Sequence, residues 1–302
     1  MAASLDRLAR FVLVMFPPGL HLAYGLLWTV SFEAMVVLLA GSGAWSPSLT
    51  TLVRVVTVVL GMLFMRMLDE QKDYEYDVVH HPDRPLVTGA ITARELRTAM
   101  VVIAVVLLAL NAVVSPLSAA AVLVVLAYGL ALWGGETVFP VLRENILLNL
   151  VAALPIQALL NVYLCLSLYG TGVIRLRGVL LWVLVLYACV FVHFEFARKT
   201  RRGDPSERLY PQVLGVQGSA VWTLGLALVA VGLDLVLVVP KLSGGGALAV
   251  ALLPCLAAVL PLVGAWRYWG RHSGRLSWPR GTAVGFVVLL CTSLIAQAVA
   301  GG

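Results

Sequence analysis

Six of the chain's 15 carboxylates fall within 15 residues: Asp69, Glu70, Asp73, Glu75, Asp77 and Asp83. Asp69, Asp73 and Asp77 stand at i, i+4 and i+8. On a helix each such step turns about 400°, so the three carboxylates drift only about 80° in all and share one face. Like charges at that spacing repel at every turn, and the stripe therefore calls for a cation. Its ligands are oxygen only, with no Cys or His among them, which favours a hard ion. Mg²⁺ is the leading candidate, because it commonly joins one or two carboxylates to phosphate oxygens. Asp69, Glu70, Asp73 and Asp77 are the expected metal ligands. The plainer alternative is a solvated acidic loop.

The residues that follow, His80-His81-Pro82-Asp83-Arg84-Pro85-Leu86-Val87-Thr88-Gly89, carry two prolines and a glycine that fix a compact loop. Arg84 offers a planar fork suited to phosphate, and Lys72 adds an ammonium inside the stripe. His81 either donates to phosphate or caps the loop. Carboxylates, a metal and arginine side by side make a diphosphate site. A second charged cluster runs from His193 to Asp204 and contains Glu195, Arg198, Lys199, Arg201 and Arg202. Glu195 and Lys199 are an i, i+4 pair and can neutralise each other. The basic run reads either as a membrane anchor or as a set of phosphate-holding cations, and the two roles are compatible.

These residues need elements that hold them at one level, and composition says which elements. Of 302 residues, 61% are hydrophobic and 12% are charged, with a mean hydropathy of +0.97. Soluble chains carry about 25% charged residues, so a soluble enzyme, a disordered chain and a disulfide scaffold are excluded. The four cysteines are isolated in apolar runs and read as small buried hydrophobes. Each membrane span takes about 20 apolar residues. Nine stretches qualify: 20–41, 50–68, 94–114, 116–134, 145–169, 177–197, 218–239, 246–266 and 281–299. The expectation is an all-α, polytopic bundle of nine transmembrane helices forming one domain over 1–302, with polar loops at about 69–93 and 198–217. Pro17-Pro18 introduces or kinks the first span, and Ser115-Pro116 and Gly244-Gly245-Gly246 mark turns.

Lys and Arg concentrate on the cytoplasmic side of membrane proteins. With the N-terminus inside and nine spans, 17 of the 21 basic residues fall on inner segments, leaving Arg54, Arg175, Arg177 and Lys241 outside. The N-terminus, with Arg7 and Arg10, is read as a retained cytoplasmic segment, and both polar loops face the cytoplasm. The net charge of +6 thus reflects membrane topology, and nucleic acid is not an expected partner. Within the spans, Glu33 is an expensive charge that is protonated, paired or lining a cavity, the last being slightly preferred. Asn149, Gln157 and Asn161 serve either as ligand contacts or as links between helices.

At the acidic stripe the chain resembles the UbiA superfamily of intramembrane prenyltransferases. Members carry an NDxxDxxxD motif after the second span and then HPxRPLxxG. The matching text is Asp69 to Asp77 followed by His81-Pro82-Asp83-Arg84-Pro85-Leu86 and Gly89, with Asp69 in place of Asn and Glu70 in place of Asp. The family's DxxxD-type stripe after the sixth span is altered: Glu195 and Asp204 remain acidic among Arg198, Lys199, Arg201 and Arg202.

The resemblance implies an integral membrane enzyme that ionises an isoprenyl diphosphate with Mg²⁺ and transfers the prenyl chain to an acceptor. Asp73, Asp77 and Glu195 are then catalytic, while Lys72, Arg84, Arg143, Arg198, Lys199 and Arg202 hold diphosphate. The partners are the isoprenyl diphosphate, membrane lipid and an aromatic or lipid acceptor. A terpene cyclase acting on the same diphosphate without an acceptor is the alternative that the altered second motif favours. A cation transporter is a remote alternative, because such sites usually lie near the midplane.

Overall fold

The structure is a computed structural model that describes residues 2–201, 207–242, 245–269 and 277–302. Thirteen helices follow one another: α1 (Ala2–Met15), α2 (Pro18–Ala40), α3 (Leu49–Lys72), α4 (Tyr74–His80), α5 (Ala93–Val114), α6 (Pro116–Val138), α7 (Val141–Glu144), α8 (Ile146–Gly170), α9 (Val179–Lys199), α10 (Tyr210–Val238), α11 (Gly245–Ala251), α12 (Pro254–Trp269) and α13 (Arg280–Gly301). Among the described residues nine helical segments are long and apolar enough to cross a membrane, α11 and α12 together making the eighth. All nine expected spans are present.

Each boundary has a local cause. Pro18 opens α2 at its first position, where the missing N–H costs nothing. Ser115 ends α5, and its Oγ then accepts from the Ser118 amide 3.0 Å away to start α6. Thr92 and Glu95 form a reciprocal cap at the start of α5. Of the glycine turn, Gly245 and Gly246 instead open α11, and Gly244 lies outside the described residues.

Two expected loops are partly helical. The second span runs on to Lys72 and, after a break at Asp73, continues as α4 to His80. The seventh begins at Tyr210, well inside the stretch read as polar loop. Gly215, at φ +70°, breaks its helical path, a backbone state essentially confined to glycine. Polar residues past an apolar run signal the membrane surface, and a helix does not end there.

Every span packs against its neighbours in sequence, and α13 packs against α2, so the nine form a closed ring. Helix α2 also reaches α8 and α9 across the ring and is buried from Phe32 to Ala40. Around its Trp28, ring contacts run to Tyr187 at 4.9 Å, and Phe32 meets the same tyrosine at 4.9 Å. Val101, Val105, Val113, Val124 and Val151, by contrast, are exposed on the outer faces. Apolar side chains in quantity on the outside are what lipid contact requires. The protein is an integral membrane protein.

Buried polar groups link the helices. Asn161 accepts from Trp28 Nε1 at 2.9 Å, and Asn111 accepts from the Tyr163 hydroxyl at 2.8 Å while donating to Thr57. Asn161 thus joins helices. Of the alternatives open for Glu33, the structure shows the paired one rather than the preferred cavity-lining one. Its carboxylate takes Arg54 Nη1 at 3.0 Å and the Thr51 hydroxyl at 2.8 Å, and Arg54 reaches Ser167 and Thr171 with its other nitrogens. The four cysteines are free thiols.

Candidate active site

A cavity of about 610 Å³ opens where α3, α4, α9, α10 and α13 bring their polar ends together. Asp69, Asp73 and Asp77 all line it, on one wall. The helical path carries through the break, since the amides of Asp73, Asp77 and His81 each bond the carbonyl four residues back at 2.8–2.9 Å. The three carboxylates therefore share a face, as their spacing predicts. Asp73 makes no ion pair among the described residues. Burial raises its carboxyl above the usual range, Lys72 opposes that rise, and Asp69 and Asp77 add to it.

The neighbours of the stripe separate into two groups. Glu70 does not line the cavity. It is buried and ion-paired to Arg66 and, at 3.3 Å, to Arg84, which sets it apart from the three aspartates of the cavity wall. Arg84 lines the cavity but is also paired with Asp77. Glu70 and Asp77 together lock the guanidinium against the stripe. Lys72 bridges Asp69 and Glu136, each at 3.3 Å, and Asn149 donates to Glu136 at 3.2 Å. His81 lines the cavity, while Arg143 does not and lies 3.7 Å from Glu75.

Across the cavity the wall is basic. Arg198, Lys199, Arg201, Arg208 and Arg280 line it. Glu195, expected to be catalytic, does not line it. Its two oxygens take Arg198 at 2.8–3.1 Å and Lys199 at 2.8 Å. A one-turn spacing on α9 dictates this, because the three side chains leave the helix on one face. Arg202 and Asp204 lie outside the described residues. Thr200 accepts the Trp278 amide at 2.9 Å, and Arg201 and Ser277 pair as an isolated antiparallel bridge. This joins the end of α9 to the start of α13 and brings Arg280 to the same rim. The Arg208 guanidinium lies 4.7 Å from the centre of the Tyr76 ring, a cation–π contact.

Several site residues were not legible in the sequence. Arg208 and Arg280 belong to regions called basic only for orientation, and Glu136 is a lone acid at a span end. Their role depends on which spans meet, and no local period encodes that.

Among the described residues no three Asp, Glu, His or Cys side chains converge on a single metal position. The donors still fit a hard ion. One or two oxygens from Asp69 and Asp73, completed by water and phosphate, are the number of protein ligands that Mg²⁺ usually takes. A cation there would also relieve the mutual repulsion of the stripe. Phe194, Ala197, Leu209, Ala283 and Val284 supply an apolar part of the lining.

The model of the UbiA prenyltransferase family matches residues 26–280. No curated protein matches the chain. A UbiA homologue from Aeropyrum pernix has a similar structure, with a TM-score of 0.63 at 16% identity, covering 89% of this chain and 94% of that one. A UbiA homologue from Archaeoglobus fulgidus, bound to DMAPP and Mg²⁺, gives 0.59 at 15%, covering 91% and 98%. A digeranylgeranylglyceryl phosphate synthase gives 0.58 at 14%, covering 97% and 99%. The structural matches share the fold. The family match covers most of the chain, which therefore belongs to the UbiA prenyltransferase family and is a prenyltransferase-type enzyme.

Proposed function

We propose that this UbiA prenyltransferase family member binds an isoprenyl diphosphate with Mg²⁺ in the polar cavity, ionises it, and transfers the prenyl chain to an acceptor. The observation that carries this reading is the meeting in one cavity of carboxylates from α3 and α4, Asp69, Asp73 and Asp77, with cations brought by α9, α13 and the segment before α10, Arg198, Lys199, Arg208 and Arg280. The Archaeoglobus homologue, which holds DMAPP with Mg²⁺, supports the same substrate class.

The chemistry follows from charge. The allylic C–O bond breaks and its electron pair leaves with the diphosphate, so negative charge grows at the polar rim. When bound, Mg²⁺ supplies Lewis-acid stabilisation of that leaving group. Asp69 and Asp73 hold the ion, and Asp77 keeps Arg84 aimed along the same wall. Arg198, Lys199, Arg208 and Arg280 contact the departing oxygens from across the cavity, in a setting where fixed charges act strongly. The prenyl chain lies along Phe194, Ala197 and Val284 toward lipid, which keeps water from the allyl cation. An electron pair of the acceptor, a hydroxyl lone pair or an aromatic π pair, then forms the new bond to the allylic carbon, and the proton the acceptor loses passes to the released diphosphate or to water.

The distribution of Lys and Arg supports an N-terminus and active site on the cytoplasmic side. One observation favours a second reading, terpene cyclisation without an acceptor. Glu195 is fully engaged by Arg198 and Lys199, so it is not available as a base for an acceptor.

The test uses the detergent-purified chain with C10, C15 and C20 prenyl diphosphates and Mg²⁺. Diphosphate release and organic-soluble products are followed together. Turnover that requires an added aromatic or lipid acceptor is the expected result. Cyclic products formed without one would establish the cyclase reading, and absence of turnover in every combination would defeat both.

A further inference from the structure

We propose that a groove on the lipid-facing side of α3, α5 and α6 seats one chain of an anionic phospholipid, with the lipid's phosphate held on Arg97. The groove is a cavity of about 360 Å³ whose residues, among those described, are distinct from the ones that line the polar cavity. Phe64, Met100 and Leu126 are its buried floor, and Val101, Leu123 and Leu130 are exposed along its sides. Arg97 is the charged residue in this otherwise apolar lining. The proposal is independent of what the polar cavity binds.

The groove is as long as one leaflet is deep. Arg97 and Trp133 stand together at one end, the guanidinium carbon 6.0 Å from the centre of the indole ring. Leu108 on α5 and Leu123 on α6 line the other end. From Arg97 to Leu108 a helix rises about 16 Å, close to half of the roughly 30 Å hydrocarbon core. A slot of that depth, open to lipid along its sides, takes a single chain reaching from the membrane surface to the midplane.

The head end selects charge. Arg97 Nε donates to Gln71 Oε1 at 3.0 Å, so an amide and an indole, both neutral, position the guanidinium. Arg94, three residues earlier, is exposed on the same face of α5. The acid between them, Glu95, is taken by Arg7 and by the cap at Thr92. Two cations thus crown an apolar slot, beside a tryptophan of the kind that anchors at the membrane surface. A guanidinium matches the oxygens of a phosphate diester. A headgroup that carries its own ammonium brings no net charge to these cations, whereas phosphatidylglycerol brings a full negative one.

The test needs no turnover. The full chain in detergent is titrated with phosphatidylglycerol or with phosphatidylcholine of the same chains, and bound lipid is counted by native mass spectrometry. Phosphatidylglycerol should fill a saturable site about fivefold more tightly than phosphatidylcholine, the worth of one basic residue at a membrane surface. Arg97→Gln should remove that preference. Ala127→Phe, at an exposed groove position deeper than the arginine, should fill the slot and weaken phosphatidylglycerol by a similar factor. Arg267→Gln takes a charge from an exposed position on α12, which packs against α10 and α13, and should leave the preference unchanged. Equal affinity for the two lipids, or a loss in Arg267→Gln as large as in Arg97→Gln, would overturn the proposal in favour of diffuse surface charge. Undiminished binding in Ala127→Phe would overturn the seat for the chain. Displacement of phosphatidylglycerol by a C20 prenyl diphosphate would overturn the choice of occupant.

Discussion

Asp73 is the carboxylate on which the site turns, because it alone of the stripe has no ion-pair partner among the described residues while lying half-buried on the cavity wall. Asp73→Ala should abolish diphosphate release and leave thermal unfolding and membrane insertion intact. Retained turnover would remove it from the metal wall. Glu70 makes the contrasting case. Glu70→Gln leaves Arg66 without its buried anion and Arg84 with Asp77 alone, and should cost about 1–3 kcal/mol of stability. Because Arg84 is then less firmly held, apparent substrate affinity should fall as well, which a thermal shift and a KM measurement would separate. The roles of both residues can be compared with what their neighbours in sequence say. The four-residue spacing of Asp69, Asp73 and Asp77 is a local property and transfers directly to the cavity wall. It does not distinguish Glu70, one position round the helix, from a ligand. That distinction requires knowing that Arg66 and Arg84 stand behind it, and Arg84 is 14 residues further along the chain.

Among elements, the spans were readable from apolar length, and their contacts were not. Glu33 in α2 and Arg54 in α3 are each an isolated charge in a hydrophobic stretch. Only the packing of α2, α3 and α8 reveals that they meet, with Ser167 and Thr171 completing the guanidinium's partners. Both partners are 1% exposed, so breaking the pair is costlier than removing it. Arg54→Met should destabilise the bundle by about 3–5 kcal/mol, and Glu33→Leu with Arg54→Met should recover most of that loss. Denaturation midpoints in one detergent would show it, and a double variant no better than the single one would refute it. Helix α10 supplies a second case. Gly215 holds a φ of +70° with open space around a Cβ, so Gly215→Ala should cost about 1–3 kcal/mol from backbone strain alone. The kink also turns the Tyr210 ring flat against Phe196, with centroids 4.0 Å apart. Straightening it should therefore displace Arg208 and weaken diphosphate binding. Such a break reads in sequence only as a glycine in an apolar run, which membrane helices contain for many reasons.

For the whole molecule, the basic residues that set orientation and those that line the cavity are largely the same residues. Sequence bias alone could not assign them the second task. A cysteine introduced at exposed Arg94, near the polar end of the ring, should react with an impermeant maleimide only after the inner face is exposed. Labelling in intact cells would reverse the orientation. The ring has a further consequence, for the order in which the protein is made. Its first span packs against its last, and Arg280, which completes the cavity rim, is the first residue of that last helix. A chain emerging from the ribosome presents the acidic stripe early and the closing arginine only after nearly all of it has been translated. A nascent protein stalled before α13 should therefore already carry the acidic stripe yet hold a diphosphate ester more weakly than the finished chain. Release of the last helix from the ribosome is then the step that completes the cavity rim.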